Sequence, residues 1–289
     1  LMREIDAAAE AVNKLQLSVI SIYMGGGTPT TLSAQQLDRL CSRLEDSFDL
    51  SQLREYTVEA GRPDTITLDK LRTLRAHGVD RISVNPQTMS DEILNVIGRR
   101  HSAQDIIDAL SAVRSVGGMA VNMDLIAGLP ADSAEGFEKT LDTVIGLDPE
   151  NITVHTLSLK KGSRITLEGS TLPGESEVGR MLDTAAERLR RGGWAPYYLY
   201  RQKFMSGGFE NVGWAKPGSE NIYNICIMEE LCSIVALGGG GSTKLISPDG
   251  GRNIRFFAPK YPSEYISGIQ KTCHDKQGII DFYSKESKK

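Results

Sequence analysis

The hydrophobic pattern changes period at regular intervals along the chain, and the alternation predicts its elements. Runs rich in β-branched and aromatic residues at 18–23, 55–60, 79–85, 121–130 and 151–158 read as strands. Between them, apolar positions recur at helical spacing. Leu37, Leu40 and Leu44 follow Ser33, and Leu68, Leu71 and Leu74 follow Pro63 and Asp64. A helix capped by Ser90 runs to Ile97, and Ile106, Ile107, Leu110 and Val113 line one face of 105–116. Ser133 opens another helix, to Ile145. Residues 1–15 read as a helix entered mid-stream. Strand followed by helix, repeated, implies an α/β fold with parallel strands covered by helices.

The pattern loosens after about residue 165. A helix at 179–191 turns Met181, Leu182, Ala185 and Leu189 inward, and Gly192 and Gly193 stop it. Residues 194–203 then read as a strand at a domain edge, mixing aromatic and basic residues. The apolar run 231–237 reads as a strand entering the glycines at 238–241. The remainder, with Tyr261, Tyr265 and a lysine-rich end, reads as a lid or packing helix and a frayed tail.

Composition narrows the class. The chain has 289 residues, 33 Lys and Arg against 37 Asp and Glu, and so a net charge of −4, without the basic excess of a nucleic-acid binder. No apolar run approaches the roughly 20 residues of a membrane span, and no signal peptide is visible, so a cytoplasmic protein is expected. Cys41, Cys226, Cys232 and Cys273 form no CxxC pair and read as buried free thiols.

Three features carry candidate chemistry. The turn Met24-Gly-Gly-Gly-Thr-Pro29 sits between a strand and a helix, where bare backbone N–H groups let a ligand approach closely. Glu59 ends its strand, the place where α/β barrels put their chemistry. Asp124 lies inside an apolar strand, which is costly unless the carboxylate has a partner; it is expected to face a polar pocket while Met123 and Leu125 point the other way. His101 and His155 read as hydrogen-bonding and core histidines.

GGGTP directly after a hydrophobic strand resembles the S-adenosylmethionine-binding turn of radical S-adenosylmethionine enzymes, in the branch of oxygen-independent coproporphyrinogen III oxidase (coproporphyrinogen dehydrogenase). Four further stretches are similar to that family in order: the glutamate of 55–60; RISVNPQ at 81–87, where Asn85 and Pro86 replace the usual Gly-Val; IGRRH at 97–101; and DLIAGLP at 124–130. ENVGWAKPG at 210–218 resembles a further family segment, departing from it at Trp214 and at Tyr223, and GGGGST at 238–243 is similar to the family's second glycine turn. The resemblance covers roughly 18 to 245 and implies a partial, three-quarter TIM-like barrel. Its first strand is expected upstream of Leu1. A barrel domain at 1–165 and a small α+β C-terminal extension at 166–289, completing and covering the substrate side, are the implied division.

The resemblance implies S-adenosylmethionine as cofactor. Gly26, Gly27 and Thr28 would hold its methionine end, and Glu59, Gln87, Arg99 and Asp124 its ribose, its carboxylate or a second cofactor molecule. Ser158 and Ser242 fall at further cofactor positions. Arg201 and Lys203 would meet the propionates of a tetrapyrrole substrate. The family's CxxxCxxC loop, whose thiolates hold a [4Fe–4S] cluster, is nowhere in the sequence and is expected upstream of Leu1. No catalytic residue and no metal ligand is assigned in this chain, which is expected to be inactive by itself. The implied reaction is oxidative decarboxylation of propionates to vinyl groups in haem biosynthesis, with electron donor and acceptor unspecified. A haem-binding chaperone with the same barrel and a non-radical barrel enzyme stay open as alternatives.

Overall fold

The computed structural model describes residues 1–158, 171–201 and 208–286. They form two compact bodies, which do not follow a single cut in the chain: Tyr23–Ala34 with Tyr56–Asn221, and Leu1–Ile22 with Gln35–Glu55 and Ile222–Lys289.

The first body carries most of a seven-stranded sheet. Its strands are β1 (Ser21–Met24), β2 (Glu55–Glu59), β3 (Arg81–Ser83), β4 (Ala120–Ala127), β5 (Asn151–Thr156), β6 (Ala195–Tyr200) and β7 (Asn211–Ala215), in the order β1-β2-β3-β4-β5-β7-β6. From β2 to β5 the pairs are parallel, as the alternation predicts; β7 then joins β5 antiparallel, and β6 joins β7 the same way. The antiparallel pair continues the barrel sheet. The aromatic and basic stretch forms its edge strand, as its sequence suggests.

The helices of this body are α3 (Leu68–Ala76), α4 (Asp91–Val96), α5 (Ala103–Val116), α6 (Ala134–Gly146) and α7 (Glu175–Arg191), which follow α1 (Met2–Lys14) and α2 (Ala34–Ser47) in the chain. Ser90, Ser102 and Ser133 cap α4, α5 and α6 with their hydroxyls, and Asp105 completes a capping box on Ser102. Each helix buries one stripe, such as Ile106, Leu110 and Val113, or Phe137, Leu141 and Val144. Helices α6 and α7 pack on β4, and α7 also on β5. The helix-facing strand residues Val121, Met123, Leu125 and Ile152 are fully buried. At about 25 cal/mol per Å² of apolar surface, this layer holds the sheet in its curve.

The second body is built on α1 and α2, on α8 (Ile222–Met228), on a ribbon of β8 (Ser242–Ile246) with β9 (Asn253–Phe257), and on α9 (Pro262–Ser267), α10 (Ile269–Asp275) and α11 (Gln277–Glu286). Ala11, Leu245, Ile279, Ile280 and Phe282 form its core. The C-terminal helices α10 and α11 pack on α1, so the end of the chain is a packing element here. The strand expected at 231–237 is absent. The backbone there turns to side chains instead: the Ala236 N–H donates to Thr243 Oγ1 at 3.0 Å, and its carbonyl accepts from Lys276 Nζ at 2.6 Å. Only Ile234 bridges a strand residue, Lys244, and Leu231 is exposed. The strand follows the glycines instead of preceding them. No helix among the described residues is long and apolar enough to cross a membrane.

Candidate functional site

The face of the sheet turned away from the helices is polar. Register aligns Glu59 with Ser83, Ser83 with Asn122, and Asp124 with Thr153. A closed barrel ordinarily fills this face with branched apolar side chains. Here Asn122 Nδ2 donates to Ser83 Oγ at 2.9 Å and to Asp124 Oδ1 at 2.8 Å, and Thr153 Oγ1 donates to Asn122 Oδ1 at 3.2 Å. Such a layer is costly to bury unless its groups are satisfied by each other or by a ligand.

Strand alternation puts Asp124 on this face, with Met123 and Leu125 buried on the other, as the sequence predicts. Burial opposes the charged form of Asp124. The facing His155 imidazole, together with Asn122 and Thr153, overcomes that and holds its carboxyl below the usual range. His155 Nε2 lies 3.7 Å from Asp124 Oδ2, and Tyr200 Oη lies 3.4 Å from His155 Nδ1. His155 is therefore a partner of Asp124 on the polar face, not a core histidine.

The glycine turn follows β1. Gly25 is in contact from the site side: a β-carbon there would stand 2.7 Å from Tyr23 Cε1 and 3.0 Å from Glu59 Cδ. Gly26, at φ +100°, and Gly27 have open space above them. Tyr23 donates its hydroxyl to Glu59, and the Gly26 N–H reaches the same carboxylate. Burial pushes the Glu59 carboxyl above its usual range and the Asp124 charge adds to this, against those two hydrogen bonds. Thr28 lies against Gly61. The turn is anchored by Thr30, whose hydroxyl donates to the Ala60 carbonyl at 2.8 Å, and by Lys70 Nζ on the carbonyls of Thr30 and Thr65.

Gln87 takes φ +67°, a left-handed conformation that a side chain adopts only when its surroundings hold it. Its N–H donates to the Asp124 carbonyl at 2.9 Å and its carbonyl accepts from Ile126 at 3.0 Å. Arg99 is half-buried and has no carboxylate partner among the described residues; burial and the neighbouring charge of Arg62 push its guanidinium pKa down. His101 is buried beside it, its pKa lowered by burial and by the Arg99 charge, with its ring on the Pro86 carbonyl.

Gly26 and Glu59 thus meet at the glycine turn, Thr28 lies against Gly61, and Gln87 pairs through its backbone with Asp124, while Ser158 stands two residues beyond β5. Ser242 opens β8 in the second body, opposite Phe257. Arg201, next after β6, is exposed and paired with Glu210 at 3.1 Å. Lys203 lies outside the described residues. Sequence reasoning missed Tyr198, the most buried residue of the edge strand. Its ring lies across Gly213, where a β-carbon would fall inside it, and its hydroxyl reaches Thr153 at 3.4 Å. The glycine opposite a tyrosine was the available signal.

The described residues hold no group of three or more His, Cys, Asp or Glu placed to bind a metal ion. Cys41 is buried in α2, and Cys226, Cys232 and Cys273 are partly buried elsewhere in the second body. An iron–sulfur cluster therefore has no ligand set here. S-adenosylmethionine does fit the donor set: open glycine backbone, two carboxylates, an amide and a guanidinium with no carboxylate partner among the described residues match its ammonium, ribose and carboxylate.

Residues 1–144 match the Radical SAM superfamily. The oxygen-independent coproporphyrinogen-III oxidase-like protein HemZ of Bacillus subtilis is 43% identical over 276 residues, covering 94% of this chain and 55% of that protein. The heme chaperone HemW of Bacillus subtilis is 31% identical over 199 residues, covering 66% of this chain and 51% of that protein. The structure of the coproporphyrinogen III oxidase HemN of Escherichia coli, a radical SAM enzyme, shares the fold with a TM-score of 0.73 at 21% identity, over 94% of this chain and 62% of that one. The chain thus spans about half the length of the curated relatives it matches. Proteins of this family work with S-adenosylmethionine and a [4Fe–4S] cluster. The polar-faced partial barrel, the glycine turn and these likenesses agree: the chain belongs to the radical S-adenosylmethionine superfamily, among the relatives of the oxygen-independent coproporphyrinogen III oxidases.

Proposed function

We propose that this chain is the S-adenosylmethionine-binding barrel of a radical enzyme that oxidatively decarboxylates propionate side chains of a reduced tetrapyrrole. The observation that carries the reading is the hydrogen-bonded Asp124 carboxylate on the polar face of β4, near enough to Glu59 beside the glycine turn for their charges to interact. The open backbone of Gly26 and Gly27, with Thr28, receives the methionine end. Glu59 and Asp124 face the ribose hydroxyls or the ammonium, and Arg99 supplies the positive charge that a carboxylate needs. When bound, S-adenosylmethionine supplies the hydrogen-abstracting agent. The protein's share is to bind, orient and exclude water. For each propionate, one hydrogen atom leaves the β-carbon, carbon dioxide departs and one electron goes to an acceptor, leaving a vinyl group.

On the substrate side, Tyr200 stacks on the buried Tyr198 with ring centroids 6.2 Å apart and planes 7° apart, an aromatic surface against which one pyrrole ring of the substrate can pack. Arg201 stands at the end of the same strand for a carboxylate. The likeness to the heme chaperone HemW supports a second reading, in which the same barrel binds and hands on haem without decarboxylation. One assay separates them. The natural full-length protein, reconstituted anaerobically with iron and sulfide, is given S-adenosylmethionine and coproporphyrinogen. Methionine and vinyl product formed in proportion establish the decarboxylase. Neither product, with haem bound and passed to an acceptor, establishes the chaperone.

A further inference from the structure

We propose that His155 is a positioning residue for the cofactor carboxylate Asp124, and that through Tyr200 it ties that carboxylate to the strand offered to substrate. The proposal rests on the reading of Asp124 as a cofactor ligand. It starts from a chain of three side chains on three different strands. Asp124 stands on β4, His155 on β5 and Tyr200 on β6, with 3.7 Å between Oδ2 and Nε2 and 3.4 Å between Nδ1 and the phenol oxygen.

Each link has a structural reason. Register sets His155 opposite Ile126, one step along the same face from the Asp124–Thr153 pair. Its ring meets Tyr200 edge-on at a centroid distance of 6.4 Å, and Tyr200 is stacked in turn on the buried Tyr198. The imidazole is thus held from two sides, which leaves Nε2 aimed at one carboxylate oxygen while Asn122 occupies the other. A carboxylate hydrogen-bonded at one oxygen and faced by an imidazole at the other presents constrained lone pairs to a ligand, and loses little freedom when the ligand binds. Histidine is suited to this place because two ring nitrogens serve two partners at once.

The surroundings bear on how Asp124 titrates. Glu59 faces Asp124 from β2 with Tyr23 behind it, and Tyr198 and Tyr200 face it from β6. From β3 and the turn after it, Ser83 and Asn85 contribute uncharged groups, and Arg81 is taken up by Asn151 and the Ser219 carbonyl. The Asp124 charge disfavours the ionised form of Glu59, while His155, Asn122 and Thr153 favour the ionised form of Asp124 against burial. Without the imidazole, burial of Asp124 is opposed only by Asn122 and Thr153, and its carboxyl takes a proton at higher pH.

The test is equilibrium binding of S-adenosylmethionine to the full-length, cluster-loaded protein, across the mildly acid to mildly alkaline range. His155→Phe keeps the ring and removes both nitrogens; His155→Gln returns a donor. His155→Phe is expected to weaken binding about tenfold at neutral pH and to move the acid-side loss of affinity to higher pH, while His155→Gln recovers most of the affinity. Tyr200→Phe leaves the imidazole in place and is expected to weaken binding about two- to threefold, and it serves if His155→Phe does not fold. A purely space-filling His155 gives His155→Phe the native affinity and pH profile, and that result overturns the proposal. If the unaltered protein binds no S-adenosylmethionine, the cofactor reading falls and carries the proposal with it. Native binding with unchanged variants removes the proposal alone.

Discussion

The Tyr23 hydroxyl donates to the Glu59 carboxylate across the face of Gly25, and that bond exists because Gly25 carries no side chain. A glycine at the head of a GGG turn is usually ascribed to the turn's own conformation. Here the left-handed residue is Gly26, and Gly25 is needed for the close approach of its neighbours. Gly25→Ala therefore displaces both Tyr23 and Glu59. It is expected to destabilise the protein by about 1–3 kcal/mol, as overpacking does, and to weaken S-adenosylmethionine binding at least tenfold. Denaturant melts and binding isotherms read the two effects separately. A variant with native stability and native affinity shows that the turn does not receive the cofactor.

Gln87 tests strain against contact. Its left-handed backbone costs a side chain about 1 kcal/mol or more, which glycine does not incur. Gln87→Gly is expected to leave the thermal midpoint unchanged or slightly higher and to weaken cofactor binding, since the amide goes with the strain. Unchanged binding removes Gln87 from the site.

How much of this was legible depended on which neighbours decide a side chain's role. Asp124 was readable because a carboxylate in an apolar strand declares its face by alternation alone. Glu59 was readable from its place at a strand end. His155 was not, because one histidine in a β-branched run fits a core as well as a site; the deciding partners, Asp124 and Tyr200, lie 31 and 45 residues away. The apolar run at 231–237 misled for a related reason. Its composition suits a strand, but Thr243 and Lys276 take the backbone groups that a neighbouring strand needs. The two compact bodies, each drawn from separated segments, depend on long-range packing that local periodicity does not encode.

Asp132 gives a pH-dependent prediction outside the site. It is buried at the start of α6, where burial, with a contribution from Glu177, pushes its carboxyl up to about 6, although the Ser133 N–H opposes this. Its folded pKa lies above the usual 3.8, so the folded protein holds this proton more tightly than the unfolded chain does. The resulting stability is fully present below the unfolded value and is lost as pH rises through about 6. Asp132→Asn mimics the protonated form. It is expected to match the native protein in acid and to exceed it by about 1–2 kcal/mol above neutrality. Urea titrations at acid, intermediate and alkaline pH decide it, and a constant difference across that range rules it out.

The cysteine inventory predicts what the 289-residue chain does alone. Four scattered thiols without a grouped ligand set cannot bind a cluster in the way that three thiolates of one loop do. Reconstitution with iron and sulfide is expected to give no thiolate-to-iron absorption and no reductive cleavage of S-adenosylmethionine. A stoichiometric cluster on this chain would show instead that its four thiols suffice as ligands.

Arg201 distinguishes a substrate contact from ordinary edge-strand charge. Its pair with Glu210 at 3.1 Å is exposed, so breaking it is expected to change stability by no more than about 1 kcal/mol. If Arg201 meets a propionate, Glu210 competes with the substrate for the same guanidinium. Arg201→Ala should then weaken tetrapyrrole binding several-fold, whereas Glu210→Gln should tighten it by freeing the arginine. An edge charge with no substrate role gives the same affinity in both variants. Weaker binding in both points to a structural pair that shapes the strand end instead. The opposite signs of the two effects are thus the diagnostic, and fluorescence titration of the full-length protein with a porphyrin carrying free carboxylates measures them directly.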